Sequence, residues 1–232
     1  MRTAALAASL LLALLPRESA AARPAASNEF LDMDLAQLMN ITVTSVAKKE
    51  QQLQDAPAAV YVITQEDIRR SGVTTVPDAL AMAPGLQVAR VSASSWSVAS
   101  RGFSGFTSNK LLVLMDGRSV YSPAFSSTFW DEQNTLIEDI ERIEVIRGPG
   151  ATMWGANAVN GVINIITRKA QDTHGTLVRF GAGNEERVMA GGRWGGPISD
   201  TASGRMYLTY NDHATNRLAA GGAEANDAWQ PA

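Results

Sequence analysis

Apolar and polar positions follow two different patterns along the chain, and the change between them comes near residue 170. Before that point, apolar residues gather in short β-branched runs bounded by turn residues, which is typical of strands in a packed domain. The runs predict strands at residues 60–63, 86–91, 111–115, 119–121, 143–146 and 162–167. The last run, VINIIT, is apolar almost throughout and predicts a strand that is buried on both faces.

Two short helices are predicted between the first two strands. Thr64 followed by Asp67 forms a capping pair that starts a helix, and Gly72 stands where that helix ends. Pro77 in a first turn predicts a second helix, which ends before the Pro-Gly pair at 84–85. Strands and helices together predict a small α/β domain.

After residue 170 the apolar residues alternate with polar ones in three segments separated by glycine-rich turns. Val178 and Phe180 alternate with Arg179, and Met206 and Leu208 alternate with polar residues. This alternation is the pattern of a transmembrane β-barrel. An ordinary amphipathic sheet with one wet face gives the same pattern, so the alternation alone leaves both open.

The first 22 residues have the features of a secretory signal peptide. Arg2 precedes an apolar run at 4–15, and small residues at 20–22 suit cleavage. The run is too short to cross a bilayer as a helix. Residues 23–49 are then expected to form a flexible N-terminal segment that contains one β-branched stretch, ITVTSV.

The amino-acid composition limits the partners and cofactors that we expect for this protein. A net charge of −3 gives no support for a nucleic-acid partner. The chain has no cysteine, so no disulfide framework is available, and with only His174 and His213 we expect no metal site. The spacing of Gly150 and Gly155 matches a phosphate loop, but the lysine that would reach a phosphate is missing, so no cofactor is predicted.

Catalytic residues are not predicted either. Glu138, Asp139, Glu141 and Glu144 lie close together, but no histidine or lysine is placed to work with them. We interpret these four carboxylates as a solvated face. The chain is therefore predicted not to be an enzyme.

Three long blocks resemble, in order, the plug domain of TonB-dependent outer-membrane receptors: residues 55–88, residues 97–121 and the stretch IERIEVIRGPGATMWGANAVNGVINIITRK at 140–169. The resemblance implies an α/β plug domain, a small mixed β-sheet with short helices, at residues 50–170. It also implies that residues 171–232 are the first strands of a truncated transmembrane β-barrel. Because the smallest such barrels need about 8 strands, the chain is expected to be a truncated product or gene fragment.

The resemblance places a TonB box in the β-branched stretch of the N-terminal segment. Its residues would be Ile41, Thr42, Val43, Thr44 and Ser45. An extended segment of this kind can add a strand to a partner's sheet. The alternative is that the segment is a strand of the plug's own sheet. Residues 48–55 would form the polar tether that transmits the pull.

Two Arg-Gly pairs, Arg101-Gly102 and Arg147-Gly148, match the pairs that anchor the plug to the barrel in the family. There the arginines bridge to glutamates of the barrel wall, which in this protein would lie beyond residue 232. Buried guanidinium groups need such partners because an unpaired buried charge is costly. The alternative is that both arginines are exposed.

Two loops fall where family plugs present residues to the incoming ligand, at 94–98 and 122–130. Their candidate ligand-binding residues are Ser94, Ser95, Trp96, Ser122, Phe125, Ser126, Phe129 and Trp130. Serine with large aromatic rings suits a bulky, partly apolar ligand. The aromatic residues of the second loop pack, in the alternative interpretation, against the barrel wall.

The implied function is that of a receptor in the outer membrane of a Gram-negative bacterium. Its partners would be TonB, with the inner-membrane complex that energises it, and a large scarce solute. A ferric siderophore is the first expectation, and cobalamin or another nutrient is the alternative. A second functional class also remains open: a periplasmic plug-like protein that binds TonB or a ligand without transporting anything.

Overall fold

The structure, a computed structural model, describes residues 42–43, 51–52, 58–102, 105, 109–148, 151–155, 157–214, 216–217, 224–226 and 229–231. The strands are β1 (Thr42–Val43), β2 (Gln51–Gln52), β3 (Ala59–Thr64), β4 (Leu86–Arg90), β5 (Trp96–Ser100), β6 (Leu111–Met115), β7 (Arg118–Ser119), β8 (Ile140–Arg147), β9 (Gly161–Thr167), β10 (Gly175–Gly181), β11 (Glu186–Ser199), β12 (Ala202–His213), β13 (Asn216–Arg217), β14 (Glu224–Asn226) and β15 (Trp229–Pro231). The helices are α1 (Gln65–Ser71), α2 (Val76–Leu80) and α3 (Ala151–Trp154), with 3-10 turns at Ile137–Asp139 and Ala170–Thr173. None of these helices is long and apolar enough to cross a membrane.

A five-stranded mixed sheet forms the centre of the first part of the chain, with the strand order β3-β8-β9-β6-β7. Strands β6 and β9 run parallel, with Val113 opposite Ile163, and the other neighbouring pairs are antiparallel. Each strand of this sheet contains or overlaps a predicted β-branched run. The predicted mixed sheet is therefore confirmed, and β5, which the apolar pattern did not predict, pairs with β4 outside it.

Both faces of this sheet are buried. One face carries the main core, where Ile143, Val145 and Ile163 pack with residues of α1, α2 and β5. The opposite face holds a smaller apolar cluster that includes Leu112 and Val162. Strand β9 is buried from its first residue to the fifth, as the run VINIIT predicted.

Local signals explain where the helices begin and end. Thr64 and Asp67 form the reciprocal capping box, and Gly72 ends α1 in the left-handed region with φ of 70°. The side chain of Thr75 caps α2, and Pro77 lies in its first turn. Helix α2 is shorter than predicted, because the residues that follow Leu80 form turns before the Pro-Gly pair is reached.

The second part of the chain is an antiparallel four-stranded sheet with the order β10-β11-β12-β15, which we call the wall sheet. Its outer face is apolar and exposed, with Val178, Phe180 and Leu208 each exposed by 71–79%. Its inner face carries arginines that point toward the five-stranded sheet. The predicted alternation of apolar and polar positions is confirmed, and with it the predicted fold class.

Candidate functional site

The first 3-10 turn brings two carboxylates to the inner face of the wall sheet. Leu136, Ile137 and Ile140 are buried and hold the turn against the core just before β8 begins. Between these apolar anchors, Glu138 and Asp139 face arginines of three successive strands. We call Glu138, Asp139, Arg179, Arg193 and Arg205 the Asp139 cluster.

Asp139 is the centre of this cluster. Its side chain is 1% exposed, and Oδ1 accepts a hydrogen bond from Arg193 Nη1, whose side chain is 10% exposed. Arg205 Nη1 lies 3.7 Å from Oδ2 of the same carboxylate, and Arg179 Nη1 lies 3.3 Å from Oε2 of Glu138. A buried carboxylate is tolerated only when charged or polar partners compensate its lost hydration, and here two guanidinium groups do so.

Arg205 extends the cluster into the end of the five-stranded sheet. It donates to the backbone oxygen of Arg168 at 2.7 Å and to Thr167 Oγ1 at 2.9 Å. Thr167 in turn donates through its backbone N–H and its hydroxyl to the carboxylate of Asp116 at 2.8 and 2.9 Å. The hairpin between β6 and β7 is thereby connected to the wall sheet through one continuous network.

Glycines on the inner face make room for this contact. Gly191 lies opposite Arg179, and a Cβ there would be 2.9 Å from the Arg179 side chain and 3.0 Å from Leu136. Gly195 lies opposite Arg205, and a Cβ there would be 2.3 Å from the backbone oxygen of Thr173. Only glycine lets the second 3-10 turn come this close to the backbone of β11.

Replacing Gly195 with alanine is expected to destabilise the protein by about 1–3 kcal/mol, because the new methyl group overlaps a backbone oxygen that cannot rotate away. Urea unfolding of the detergent-solubilised protein, followed by tryptophan fluorescence, measures this. Gly192→Ala is the matched control, since a Cβ at Gly192 would meet nothing nearer than 4.0 Å. Equal stability of the two variants would contradict the close approach.

The sequence interpretation of the acidic residues as a solvated face was wrong for two of the four. Asp139 and Glu144 are fully buried. Glu144 lies on the second face of the five-stranded sheet, where its Oε1 accepts from Arg142 Nε at 2.9 Å. A signal was present in the sequence: inward-facing positions of three consecutive alternating segments each carry an arginine, and such charges need buried partners.

The predicted anchoring arginines come together at the opposite end of the five-stranded sheet. Arg101, Arg147, Gly85 and Ser100 line a groove of about 340 Å³, in which the structure places no acidic residue among those it describes. Arg101 is exposed and has a left-handed backbone with φ of 58°. Arg147 is partly buried, and its Nη1 donates to the backbone oxygen of Pro84 at 3.4 Å. Their predicted partners stay a prediction.

Only Thr42 and Val43 of the predicted TonB box lie in the described residues, as strand β1. They pair with Gln52 and Gln51 of β2 in a separate two-stranded sheet, and Val43 is fully buried. Strand β1 is thus not among the strands of the five-stranded sheet. Ile41, Thr44 and Ser45, the predicted signal peptide and most of the tether lie outside the described residues.

The predicted first ligand loop needs a correction. Residues 96–98 belong to strand β5, and Trp96 is part of the same buried core cluster as Trp130 of the second loop. Both rings and Ser94 line a cavity of about 50 Å³ between the core and the wall sheet. These residues are buried because their large apolar surface completes the core, while Ser95 beside them is partly exposed.

Residues 122–127 of the second predicted ligand loop form a turn in which residues 123–126 are exposed. Ser122 and Ser127 bridge its ends, and Ser126 within it has a left-handed backbone with φ of 52°. Phe125 is 63% exposed and meets Phe129 edge to face, with ring centroids 5.2 Å apart. Ligand contact by these residues stays a prediction.

A second contact joins the first part of the chain to the turn between β10 and β11 and to the first residue of β11. Arg90 Nη1 lies 3.1 Å from Oε2 of Glu185, and Thr74 Oγ1 donates to Glu186 Oε1 at 2.5 Å. The Glu185 side chain is 84% exposed. In the part of the chain that the structure describes, no group of three or more histidine, aspartate or glutamate side chains could hold a metal ion.

Comparison with known proteins gives one consistent family. A family model for the TonB-dependent receptor plug domain matches residues 52–162. The vitamin B12 transporter BtuB of Vibrio vulnificus is 33% identical over 161 residues, which cover 69% of this chain and 26% of the relative. The iron-regulated outer membrane virulence protein of Vibrio cholerae is 35% identical over 176 residues, which cover 71% of this chain and 26% of the relative.

The fold agrees with a solved receptor. The crystal structure of the ferripyoverdine receptor of the outer membrane of Pseudomonas aeruginosa, bound to ferripyoverdine, is similar with a TM-score of 0.59 and 22% identity, over 75% of this chain and 23% of that chain. Residues 52–162 of this chain belong to the plug-domain family of TonB-dependent receptors. This confirms the predicted family and the outer membrane as the location. The chain spans about a quarter of the length of the curated relatives it matches.

Proposed function

We propose that this chain is the N-terminal part of an outer-membrane receptor that takes up a large scarce solute with energy supplied through TonB. The observation that carries the proposal is the arrangement of its two parts. A plug domain packs through the Asp139 cluster on the inner face of a sheet whose outer face is apolar and exposed. A sheet with these two faces suits a barrel that has lipid outside and a plug inside.

A ferric siderophore is the solute that we propose first. A relative with 35% identity is an iron-regulated outer membrane protein, and a solved neighbour binds ferripyoverdine. The exposed Phe125 and the partly buried Phe129 meet edge to face, and with the serines beside them they offer apolar contact and a few hydrogen bonds to a bulky chelate. Cobalamin is the second candidate, because a relative with 33% identity is a vitamin B12 transporter.

TonB is the proposed energising partner, and the segment Ile41 to Ser45 is its proposed docking strand. Main-chain hydrogen bonds give an added strand its affinity, and β1 pairs in its sheet with β2 alone, which leaves one edge of β1 for such bonds. Arg101 and Arg147 are proposed as additional plug–barrel anchors. The protein acts by binding and gating, without a catalytic step.

Uptake measurements in the source bacterium test this function. We expect deletion of the gene to abolish uptake of one radioactive iron chelate from a siderophore panel, and deletion of TonB to have the same effect. Loss of cyanocobalamin uptake alone would favour the second candidate. A third outcome is that gene deletion leaves the uptake of both solute classes unchanged and that the protein is found in the soluble periplasmic fraction. This outcome would favour a binding protein that does not transport.

A further inference from the structure

A single arginine links three parts of the chain near the end of β12. The Arg90 guanidinium donates to the backbone oxygen of Ala93 from Nε at 3.2 Å and from Nη2 at 2.6 Å, and its Nη1 lies 3.1 Å from Oε2 of Glu185. Nη2 also lies 3.4 Å from Nδ1 of His213. Arg90 therefore holds the loop at 91–95 to the last residue of β12 and to the turn before β11, and we call these contacts the Arg90 bridge.

The His213 ring is enclosed at this bridge. The residue is 9% exposed, and its ring meets Trp96 edge to face with the centroids 6.3 Å apart. The Arg90 guanidinium lies 5.5 Å from the centroid of the same indole. The histidine is therefore packed against a cation and an aromatic ring, with little access to bulk water.

The hydrogen bond from Arg90 requires a neutral imidazole. Nδ1 of His213 can accept from the guanidinium only while the ring proton is on Nε2, because both nitrogens of a protonated imidazole are donors. Protonation would turn this contact into a repulsion between two cations that are 3.4 Å apart. Burial penalises the charged form of the ring as well.

The other charged groups around the ring do not offset this repulsion. Two arginines and four carboxylates face the imidazole: Arg90 of β4, Arg187 and Glu186 of β11, Asp212 of β12, Asp78 of α2 and Glu185 of the turn before β11. Each of the four carboxylates already accepts a hydrogen bond from another side chain. Within the described residues, none of them is hydrogen-bonded to the His213 ring. Protonation therefore adds a positive charge opposite Arg90 without supplying a new partner.

We propose that the Arg90 bridge is an acid-sensitive latch: neutral His213 holds Arg90 and the loop at 91–95 in place, and protonation of His213 releases them. Ala93 and Ser94 of this loop are buried, so release exposes them to solvent. Acid favours the released form because only that form takes the proton without repulsion. With histidine's ordinary pKa of about 6.5 in the released form, the released fraction rises by up to about tenfold between pH 7.5 and 5.5. This latch requires no solute and no partner, so it stands apart from the proposed uptake.

Labelling of a buried cysteine measures the release. Ser94 is 9% exposed, and Ser94→Cys exchanges one oxygen for sulfur in a chain that has no other cysteine. The rate of its reaction with a maleimide in the detergent-solubilised protein is divided by the rate for Val91→Cys, because Val91 is 50% exposed in the same loop. This ratio cancels the pH dependence of the thiol chemistry itself. We expect the ratio to rise five- to tenfold when the pH is lowered from 7.5 to 5.5.

His213→Gln, added to each cysteine variant, is the matched control. The glutamine side-chain oxygen can accept from Arg90 but takes up no proton in this pH range. The labelling ratio should then stay low at both pH values, whereas Arg90→Gln should make it high at both. His174, the one other histidine of the chain, is kept in every variant and hydrogen-bonds to Ser203 near the opposite end of β12.

The remaining outcomes would overturn the latch. A low ratio at both pH values with His213 in place would show that acid does not release the loop. A rise of the same size in the His213→Gln variant would assign the release to another group. A high ratio at both pH values in that variant would mean that the ring supports the loop by packing alone, and a low ratio throughout in the Arg90→Gln variant would mean that Arg90 does not hold the loop.

Discussion

Asp139→Asn is expected to lower the free energy of unfolding by about 3–5 kcal/mol, one of the largest effects of any single substitution in this chain. The carboxylate is 1% exposed, and its loss leaves Arg193 and Arg205 facing an uncharged amide. Removing one partner of a buried ion pair costs more than the pair contributes, because the remaining charges cannot regain their hydration. Urea unfolding in detergent, followed through the tryptophan fluorescence, measures the change.

Glu141→Gln is the matched control for this substitution, since the Glu141 side chain is 44% exposed and its pair with Arg142 should contribute less than about 1 kcal/mol. A double-mutant cycle with Arg193→Gln adds a sharper check. We expect the two substitutions at Asp139 and Arg193 to be non-additive by at least about 1 kcal/mol, because they remove the same interaction. Additive effects would mean that the two side chains act independently.

Val43→Pro is expected to reduce uptake at least tenfold at unchanged receptor abundance. A proline lacks the backbone N–H and fixes φ, so the segment can no longer complete a ladder of main-chain hydrogen bonds with TonB. The measurement is initial-rate uptake of the solute identified by gene deletion, normalised to the amount of receptor in purified outer membranes.

Val43→Ile is the control here, because isoleucine keeps the N–H and the β-branched shape. Its uptake should match that of the unmodified protein. Full uptake by the proline variant would show that the docking strand lies elsewhere in the N-terminal segment. Loss of uptake in both variants would instead mean that the buried Val43 side chain cannot be changed without disturbing its two-stranded sheet, whatever the backbone does.

Most of the secondary structure was predictable, because its causes are local. The capping pair Thr64 and Asp67 sets the start of α1 through hydrogen bonds between residues three apart. β-Branched runs and period-two alternation set the strands of both sheets in the same way. Strand β5 was missed because serine, tryptophan and alanine do not form a β-branched run, and the burial that makes it a strand comes from α1, α2 and β8.

The candidate site was less predictable, since its members come from distant parts of the chain. The segments around Trp96 and Trp130 combine serine with aromatic residues, as a ligand-binding loop would, yet both tryptophan rings pack in the core. Asp139 has the surroundings of an exposed acidic run, yet it is buried against an arginine 54 residues further along. Whether a particular side chain is buried depends on which other elements fold over it. The hydrophobic pattern of the neighbouring residues in the sequence does not contain that information.

The sequence by itself determined that this protein has a plug domain followed by strands of alternating apolar and polar residues. Family resemblance and hydrophobic periodicity can both be recognised within contiguous segments, so no tertiary contact is needed to detect them. Only the tertiary structure decided how the plug is held. The register of β10, β11 and β12 places three arginines and Gly191 opposite the acidic turn, and Gly195 against the second 3-10 turn. Electrostatic pairing acts over a few ångströms in space, whatever the separation along the chain.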